Sequence, residues 1–277
     1  MQPRLFGLPT YYLSWLVGTL LTTWLALRVA RREGLPSGQL FVIVLLGCLS
    51  VIVGSKLLYL LEHWLFPLDD GLPIAQASMP NLAWHGFRIP GGMVLLALVL
   101  PLTCRALHLP IARVADTIIP AFGIGIGCAR MGCFFNGCCV GRVSSLPWAV
   151  TFPPGGPIFD WQLVNGLLAD HPTRTLPVQP LQIYFALLGV AVYGLGRRWQ
   201  VQRRFAGEVW IKCYLLFFSG MFALEFLAQQ FLHLNVAVSA AAMLAAGLAW
   251  ITLGRDGIGT TLPGQLTPST PPRPATG

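Results

Sequence analysis

Arg130 lies in an apolar stretch, residues 116–137, that is long enough to cross a lipid bilayer. A guanidinium keeps its positive charge, so a hydrocarbon environment cannot neutralise it by removing a proton. Placing an arginine at the centre of a transmembrane helix costs about 2.5–3.5 kcal/mol on insertion scales. Arg130 must therefore face the protein interior or a water-filled cavity, where a carboxylate or a lipid phosphate is its natural partner. The residue points to phospholipid chemistry.

Several other residues stand out against the apolar background as candidates for a site. They are Tyr11, the pair Gly91 and Gly92, Asn136, Arg142 and Glu225. One interpretation is structural: Glu225 and Arg130 form a buried ion pair that holds two helices in register. The other is functional: Arg130 and Arg142 bind a phosphate while Glu225 orients a guanidinium. The two interpretations are compatible.

Four cysteines lie within twelve residues, at positions 128, 133, 138 and 139. They could be small buried side chains without a function. Cys133, Cys138 or Cys139 could instead form a disulfide at an external face, or provide a thiolate that acts as an acceptor, a redox centre or a metal ligand. Adjacent Cys138 and Cys139 are poorly spaced for a tetrahedral zinc site. We therefore expect no metal and no cofactor.

The composition identifies an integral membrane protein. Of 277 residues, 55% are hydrophobic and only 10% are charged, whereas soluble domains have about 25% charged residues. The net charge of +8 comes from basic residues in short loops between apolar segments, which is an orientation signal. A nucleic-acid-binding protein would instead present a basic face on a soluble domain, so we expect no nucleic-acid partner.

The apolar segments predict an all-α fold, a bundle of seven transmembrane helices in one domain over residues 1–258. The predicted spans are 8–29, 39–61, 89–108, 116–137, 180–199, 208–231 and 236–254. Arginines follow the first, third, fifth and seventh spans, which puts the N-terminus outside and the C-terminus in the cytoplasm. Residues 140–179 are then a long external loop between the fourth and fifth spans, with a short helix possible at 158–169. We expect the Pro/Thr-rich tail, 259–277, to be disordered.

Three glycines precede Arg130 in the fourth span, at positions 123, 125 and 127. Small residues allow two helices to approach closely. They could also let a lipid chain or head group pass the backbone. The sequence favours helix packing.

The residues around Arg130 resemble the signature of the prolipoprotein diacylglyceryl transferase family. The matching positions are Gly127, Arg130, Gly132, Phe134, Asn136, Gly137, Gly141 and Arg142. Weaker matches follow in the same order as in the family: residues 9–11, 54–59, the glycine pair 91–92, residues 180–184 and Glu225 with Phe226. The resemblance covers about residues 9–254.

The resemblance implies a transferase of the bacterial inner membrane. Such an enzyme moves a diacylglyceryl group from phosphatidylglycerol to the lipobox cysteine thiol of a lipoprotein precursor, and glycerol phosphate leaves. Arg130 and Arg142, with Gly91 and Gly92, would bind the lipid. Asn136 and Tyr11 would assist, and Glu225 would position Arg130 or act as the base. The alternatives are an inactive homologue that binds lipid or a partner protein, and a thiol-redox membrane protein that uses the cysteines between positions 133 and 139.

The chain departs from the family's usual residues at five positions. It has Cys133 where the signature usually has asparagine, and Cys138 where it has glutamate. Pro90 and Gln179 replace histidines, and Met221 replaces an arginine. On the motif, Glu225 or an ionised cysteine is left as the base.

Overall fold

A computed structural model describes residues 4–5, 8–65, 89–168, 172–229 and 233–256. This part of the chain contains eight helices. They are α1 Thr10–Arg32, α2 Ser37–Leu65, α3 Ile89–Ala106, α4 Ile111–Asn136, α5 Pro157–Val164, α6 Leu181–Gln202, α7 Glu208–Glu225 and α8 His233–Asp256. The predicted helical fold is confirmed, and the seven long helices lie where the apolar segments are.

Two local features differ from the predicted outline. Arg4–Leu5 pairs with Leu8–Pro9 in a short antiparallel hairpin, so the first helix begins at Thr10 and not at residue 8. The short helix expected within 158–169 is α5, which ends at Val164 shortly before Gly166 adopts a left-handed φ of 67°. The predicted disordered tail lies outside the described residues.

Three helices of the described chain are long and apolar enough to cross a membrane. They are α1, the part of α2 from Ser37 to Leu61, and α4. Shorter apolar stretches occupy Gly91–Ala106 and Ser239–Thr252. On α3, an apolar stripe of Val94, Leu98 and Leu102 faces outward, and each side chain is more than half exposed. Such a face is unfavourable in water but matches the lipid interior of a membrane.

Helix α4 lies at the centre of the bundle because glycines let its neighbours approach closely. A Cβ atom on Gly123 would overlap the carbonyl oxygen of Gly189 in α6, and a Cβ on Gly189 would overlap that of Gly123. On the other side, a Cβ on Gly18 of α1 would lie 3.0 Å from the carbonyl oxygen of Gly125. The expectation that the glycines before Arg130 serve helix packing is confirmed at these crossings.

Polar contacts fix the end of α4 that is opposite Arg130. The carboxylate of Asp116 accepts hydrogen bonds of 2.8 Å from the backbone N–H groups of Gly207 and Trp210, at the start of α7. Glu33, just after α1, forms a 3.1 Å ion pair with Arg203, just after α6. Because these contacts fix the start of α4 against α7, the end of α4 that carries Arg130 has a defined orientation in the bundle.

The α4–α6 crossing gives a first prediction. We expect Gly189→Val to lower the stability of the protein by about 1–3 kcal/mol, because the new side chain forces two backbones apart. The measurement is the thermal unfolding midpoint in detergent. Gly194→Val, five residues further along the same helix, is the control, since nothing lies within 4 Å of a Cβ there. Equal effects of the two changes would contradict the close crossing.

Candidate active site at the end of helix α4

Helix α4 ends in a left-handed turn at Gly137, whose φ is 66°. The backbone N–H of Gly137 donates to the carbonyl of Phe134, and that of Cys138 donates to the carbonyl of Cys133, each at 3.1 Å. This pair of bonds is the Schellman motif, which brings the side chain of the residue after the glycine back against the last helical turn. Cys138 is thereby carried to Cys133.

The turn assembles three thiols. The sulfur atoms of Cys133, Cys138 and Cys139 all lie within 4.8 Å of one another. Cys133 is buried, Cys138 is half-buried and Cys139 is exposed, and all three are free thiols. Cys139 has a φ of 57°, a conformation that residues other than glycine seldom adopt. Cys128 lies apart, with its Cβ against Gly18 of α1.

Arg130 lies one helical turn before Cys133 and is half-buried. Its guanidinium carbon is 4.3 Å from the centre of the Phe185 ring on α6, a distance at which a cation is attracted to an aromatic face. Hydrogen bonds with the thiols of Cys133 and Cys138, together with the positive charge of Arg130, lower the pKa of the Cys139 thiol. The arginine and the thiols therefore form one electrostatic unit.

The ion pairs between described residues do not include one that joins Arg130 to Glu225. The ion pairs between described residues join Arg203 to Glu33, and Arg204 and Lys212 to Glu208. Glu225 is buried at the end of α7. The interpretation of Arg130 as half of a helix-locking pair stays a prediction.

Tyr11 and Asn136 both lie beside the three thiols, Tyr11 at the start of α1 and Asn136 at the end of α4. The backbone of Tyr11 packs on α4, where a Cβ on Gly132 would lie 3.1 Å from the Tyr11 carbonyl oxygen. The Tyr11 phenol is close enough to the three thiols to interact with them electrostatically. The side chain of Asn136 interacts with the Cys138 thiol. Both predicted residues thus lie in the cluster.

Arg142 and Glu225 are linked to the cluster through the backbone. The N–H of Arg142 donates to the carbonyl of Leu227 at 2.9 Å, just after α7, and its carbonyl accepts from the N–H of Gln179 at 3.0 Å. The backbone of Arg142 is thereby fixed, while its side chain is exposed. Glu225 lies two residues before Leu227, so both predicted residues lie where the segment that follows α4 pairs with the end of α7.

Comparison with known proteins identifies the family. A model of prolipoprotein diacylglyceryl transferases matches residues 4–253, which include every site residue described above. The chain belongs to the prolipoprotein diacylglyceryl transferase family.

Individual relatives agree with this assignment. The chain is 31% identical over 220 residues to the phosphatidylglycerol–prolipoprotein diacylglyceryl transferase of Shewanella oneidensis, which covers 78% of this chain and 70% of the relative. The protein of the same name from Pseudoalteromonas translucida is 28% identical over 223 residues, 79% of this chain and 75% of the relative. That from Photobacterium profundum is 36% identical over 151 residues, 53% of this chain and 54% of the relative.

Within this family member, the glycine pair Gly91 and Gly92 lies against α2. A Cβ on Gly91 would overlap the carbonyl oxygen of Gly54, and one on Gly92 would lie 2.5 Å from the Ser55 hydroxyl. The structure therefore gives the pair a packing role. The adjacent Met93 packs on the hydrophobic cluster that contains Phe185. A role of the two glycines in lipid binding stays a prediction.

Two residues of α6 belong to the site: Gln182, which lies in the matched run 180–184, and Phe185, which no sequence motif marks. Gln182 is fully buried and its amide nitrogen donates to the Cys138 carbonyl at 2.6 Å, which ties α6 to the turn. Phe185 lies one turn further along and stacks on Arg130. The spacing of three residues was a usable signal, because it puts both side chains on one helical face.

The turn at Gly137 gives a second prediction. We expect Gly137→Ala to cost about 1–2 kcal/mol, because a side chain disfavours the left-handed conformation, and to change the alkylation rate of Cys139 as the thiols separate. The measurement is mass spectrometry of the alkylated protein over time. Gly34→Ala is the control, since Gly34 has a φ of 70° and open space around it. The control should lose similar stability with an unchanged Cys139 rate, and an unchanged rate in both variants would contradict the role of the turn.

Proposed function

We propose that this protein transfers a diacylglyceryl group from phosphatidylglycerol to the lipobox cysteine of a lipoprotein precursor. Membership of the family and the names of its relatives support this proposal. The observation that carries it is the position of Arg130, a half-buried cation at the end of an apolar helix. Arg130 belongs to none of the ion pairs between described residues. A lipid phosphate supplies the negative charge that such a residue requires.

The reaction breaks the bond between the diacylglyceryl carbon and a phosphate oxygen, and forms a bond between that carbon and sulfur. Negative charge builds up on the departing glycerol phosphate, and a fixed cation at that place lowers the barrier. The guanidinium of Arg130 has the planar fork of donors that matches two phosphate oxygens. Phe185, stacked on the guanidinium carbon at 4.3 Å, keeps the fork in one orientation. Arg142, exposed at the border of the site, is the second cation for the phosphate.

The acceptor thiol must lose its proton, because the thiolate is the nucleophile. Glu225 is the candidate base among the carboxylates near the site, since it is buried and lies where the α7 end pairs with residues 140–142. The proton passes from the lipobox thiol to this carboxylate. Tyr11 is a hydrogen-bond partner for the lipid head group, and Asn136 assists Arg130 at the phosphate.

The same proposal includes a membrane topology. All seven long helices would cross the cytoplasmic membrane of a bacterium, with the N-terminus and residues 140–179 outside and the C-terminus inside. Support comes from the charges: arginines lie at the C-terminal ends of α1, α3 and α6, whereas the opposite side holds five of the ten acidic residues, at positions 62, 69, 70, 160 and 170. In this orientation the thiols and Arg142 lie at the outer surface, where a precursor protein arrives after translocation. Phosphatidylglycerol reaches Arg130 by lateral diffusion between helices.

The third prediction tests the proposed reaction. We expect the purified protein in phosphatidylglycerol vesicles to add the mass of a diacylglyceryl group to a lipobox peptide. Arg130→Lys should lower the rate by about 100-fold or more, because an ammonium lacks the planar fork. Mass spectrometry of the peptide gives the rate.

Arg28→Lys is the matched control. The guanidinium carbon of Arg28 also lies over an aromatic ring, 4.5 Å from the centre of the Trp24 ring. Arg28 is near the C-terminal end of α1, whereas Tyr11 of the candidate site is at the N-terminal end. The rate of the control variant should equal that of the unchanged protein. Folded protein that transfers nothing, beside an active transferase in the same vesicles, would favour the homologue that only binds lipid. An Arg130→Lys variant with the full rate would contradict the phosphate role.

The fourth prediction concerns topology. A reporter fused after Gly254 should be active in the cytoplasm, and one inserted at Gly166 should be active outside it. Gly166 suits an insertion, since nothing lies within 4 Å of a Cβ there. The opposite pattern would contradict both the topology and the external position of the site.

A further inference from the structure

We propose that Cys133, Cys138 and Cys139 form a binding site for a soft, thiophilic metal ion such as Zn²⁺ or Cd²⁺. The expectation of no metal rested on the poor spacing of adjacent Cys138 and Cys139. In the structure the Schellman turn adds Cys133 to them, and the three sulfur atoms lie within 4.8 Å of one another. The geometry therefore supports a site that the spacing alone did not.

The sulfur positions are close to those that a metal requires. With zinc–sulfur bonds of about 2.3 Å in tetrahedral geometry, two sulfur ligands lie about 3.8 Å apart. Since no two of the sulfur atoms are more than 4.8 Å apart, each pair must approach by at most about 1 Å. Rotation about side-chain bonds at the exposed Cys139 and the half-buried Cys138 supplies this movement. Cys133, buried on the last turn of α4, is the fixed member of the set.

The local backbone and charges also suit such a site. The side-chain amide nitrogen of Gln182 donates to the Cys138 carbonyl oxygen at 2.6 Å and so fixes the backbone beside the thiols. The side-chain oxygen Oε1 of Gln182 is buried with no hydrogen-bond partner among the described residues. Three thiolates around a divalent cation carry a net charge of −1. Arg130, which interacts electrostatically with Cys139, balances that charge in surroundings where an uncompensated charge is costly.

Binding exchanges protons for metal. Each of the three S–H groups releases its proton to water as its sulfur bonds to the ion, so affinity should rise with pH. The exposed Cys139 gives the ion a path from solvent. The fourth position of a tetrahedral ion is left for water, as in sites with three protein ligands.

The test is a titration of reduced, purified protein with Cd²⁺, followed by the ultraviolet absorption of thiolate–cadmium bonds. We expect one equivalent to bind, prior loading with Zn²⁺ to weaken the apparent affinity for Cd²⁺ and Mg²⁺ to leave it unchanged, because soft thiolates bind Zn²⁺ and Cd²⁺ whereas hard cations prefer oxygen ligands. Cys139→Ser and Cys138→Ser should each weaken binding by about tenfold or more. The exposed Cys139 can be replaced with little risk to folding.

Cys128→Ser is the matched control. Cys128 lies on the same helix but faces α1, against Gly18, so its loss should leave the titration unchanged. Binding that persists in both the Cys138→Ser and the Cys139→Ser variants would overturn the site, as would reduced native protein that binds no Cd²⁺. The readout is independent of diacylglyceryl transfer, so failure of the proposed function and failure of this site are distinguishable.

Discussion

The permanent charge of Arg130 at the end of an apolar helix is the constraint on which the site depends. A guanidinium cannot shed its proton to suit a lipid environment, so the surrounding chain must compensate for it. Phe185 offers the negative face of its ring at 4.3 Å, and the thiols gather within one turn of the helix. In the proposed function a phosphate diester completes this arrangement, because it supplies the anion that Arg130 does not obtain from any ion pair between described residues.

Arg130 is held in place by contacts between helices that lie outside the candidate site. Gly123 and Gly189 let α4 and α6 touch backbone to backbone, which sets the distance between Arg130 and Phe185. At the opposite end, Asp116 accepts two backbone hydrogen bonds from the start of α7. A central helix fixed at its far end and along its length leaves little freedom to its last turn. The site is thus positioned by helix packing more than by bonds between its own side chains.

The helical fold could be predicted because apolar segments of bilayer length leave few alternatives for a polypeptide backbone in lipid. Asn136 and the cysteines at 133, 138 and 139 are neighbours in the sequence, so their closeness could be expected, whereas Tyr11 comes to them from α1 through helix packing. The contact between Arg130 and Phe185 could not be predicted, because it depends on how α4 and α6 cross. The sequence also does not determine whether Glu225 faces Arg130, because opposite charges in two helices do not determine which faces of the helices meet.

The sequence contains a signal for the thiol cluster, but the expectation of no metal site rested on the spacing of Cys138 and Cys139 alone. Cys138 and Cys139 are adjacent, which is poor ligand spacing, whereas Cys133 and Cys138 flank a helix end marked by Gly137. A glycine in that place predicts the turn that closes this gap. The proposed lipid site and the proposed metal site therefore share the end of α4.

The most direct test of the account is whether Arg130 holds a phospholipid. Native mass spectrometry of the protein released from phosphatidylglycerol vesicles counts the lipids that stay bound. The account predicts a retained phosphatidylglycerol on the unchanged protein and on Arg28→Gln, and its loss from Arg130→Gln. Equal retention by Arg130→Gln and the unchanged protein would contradict it.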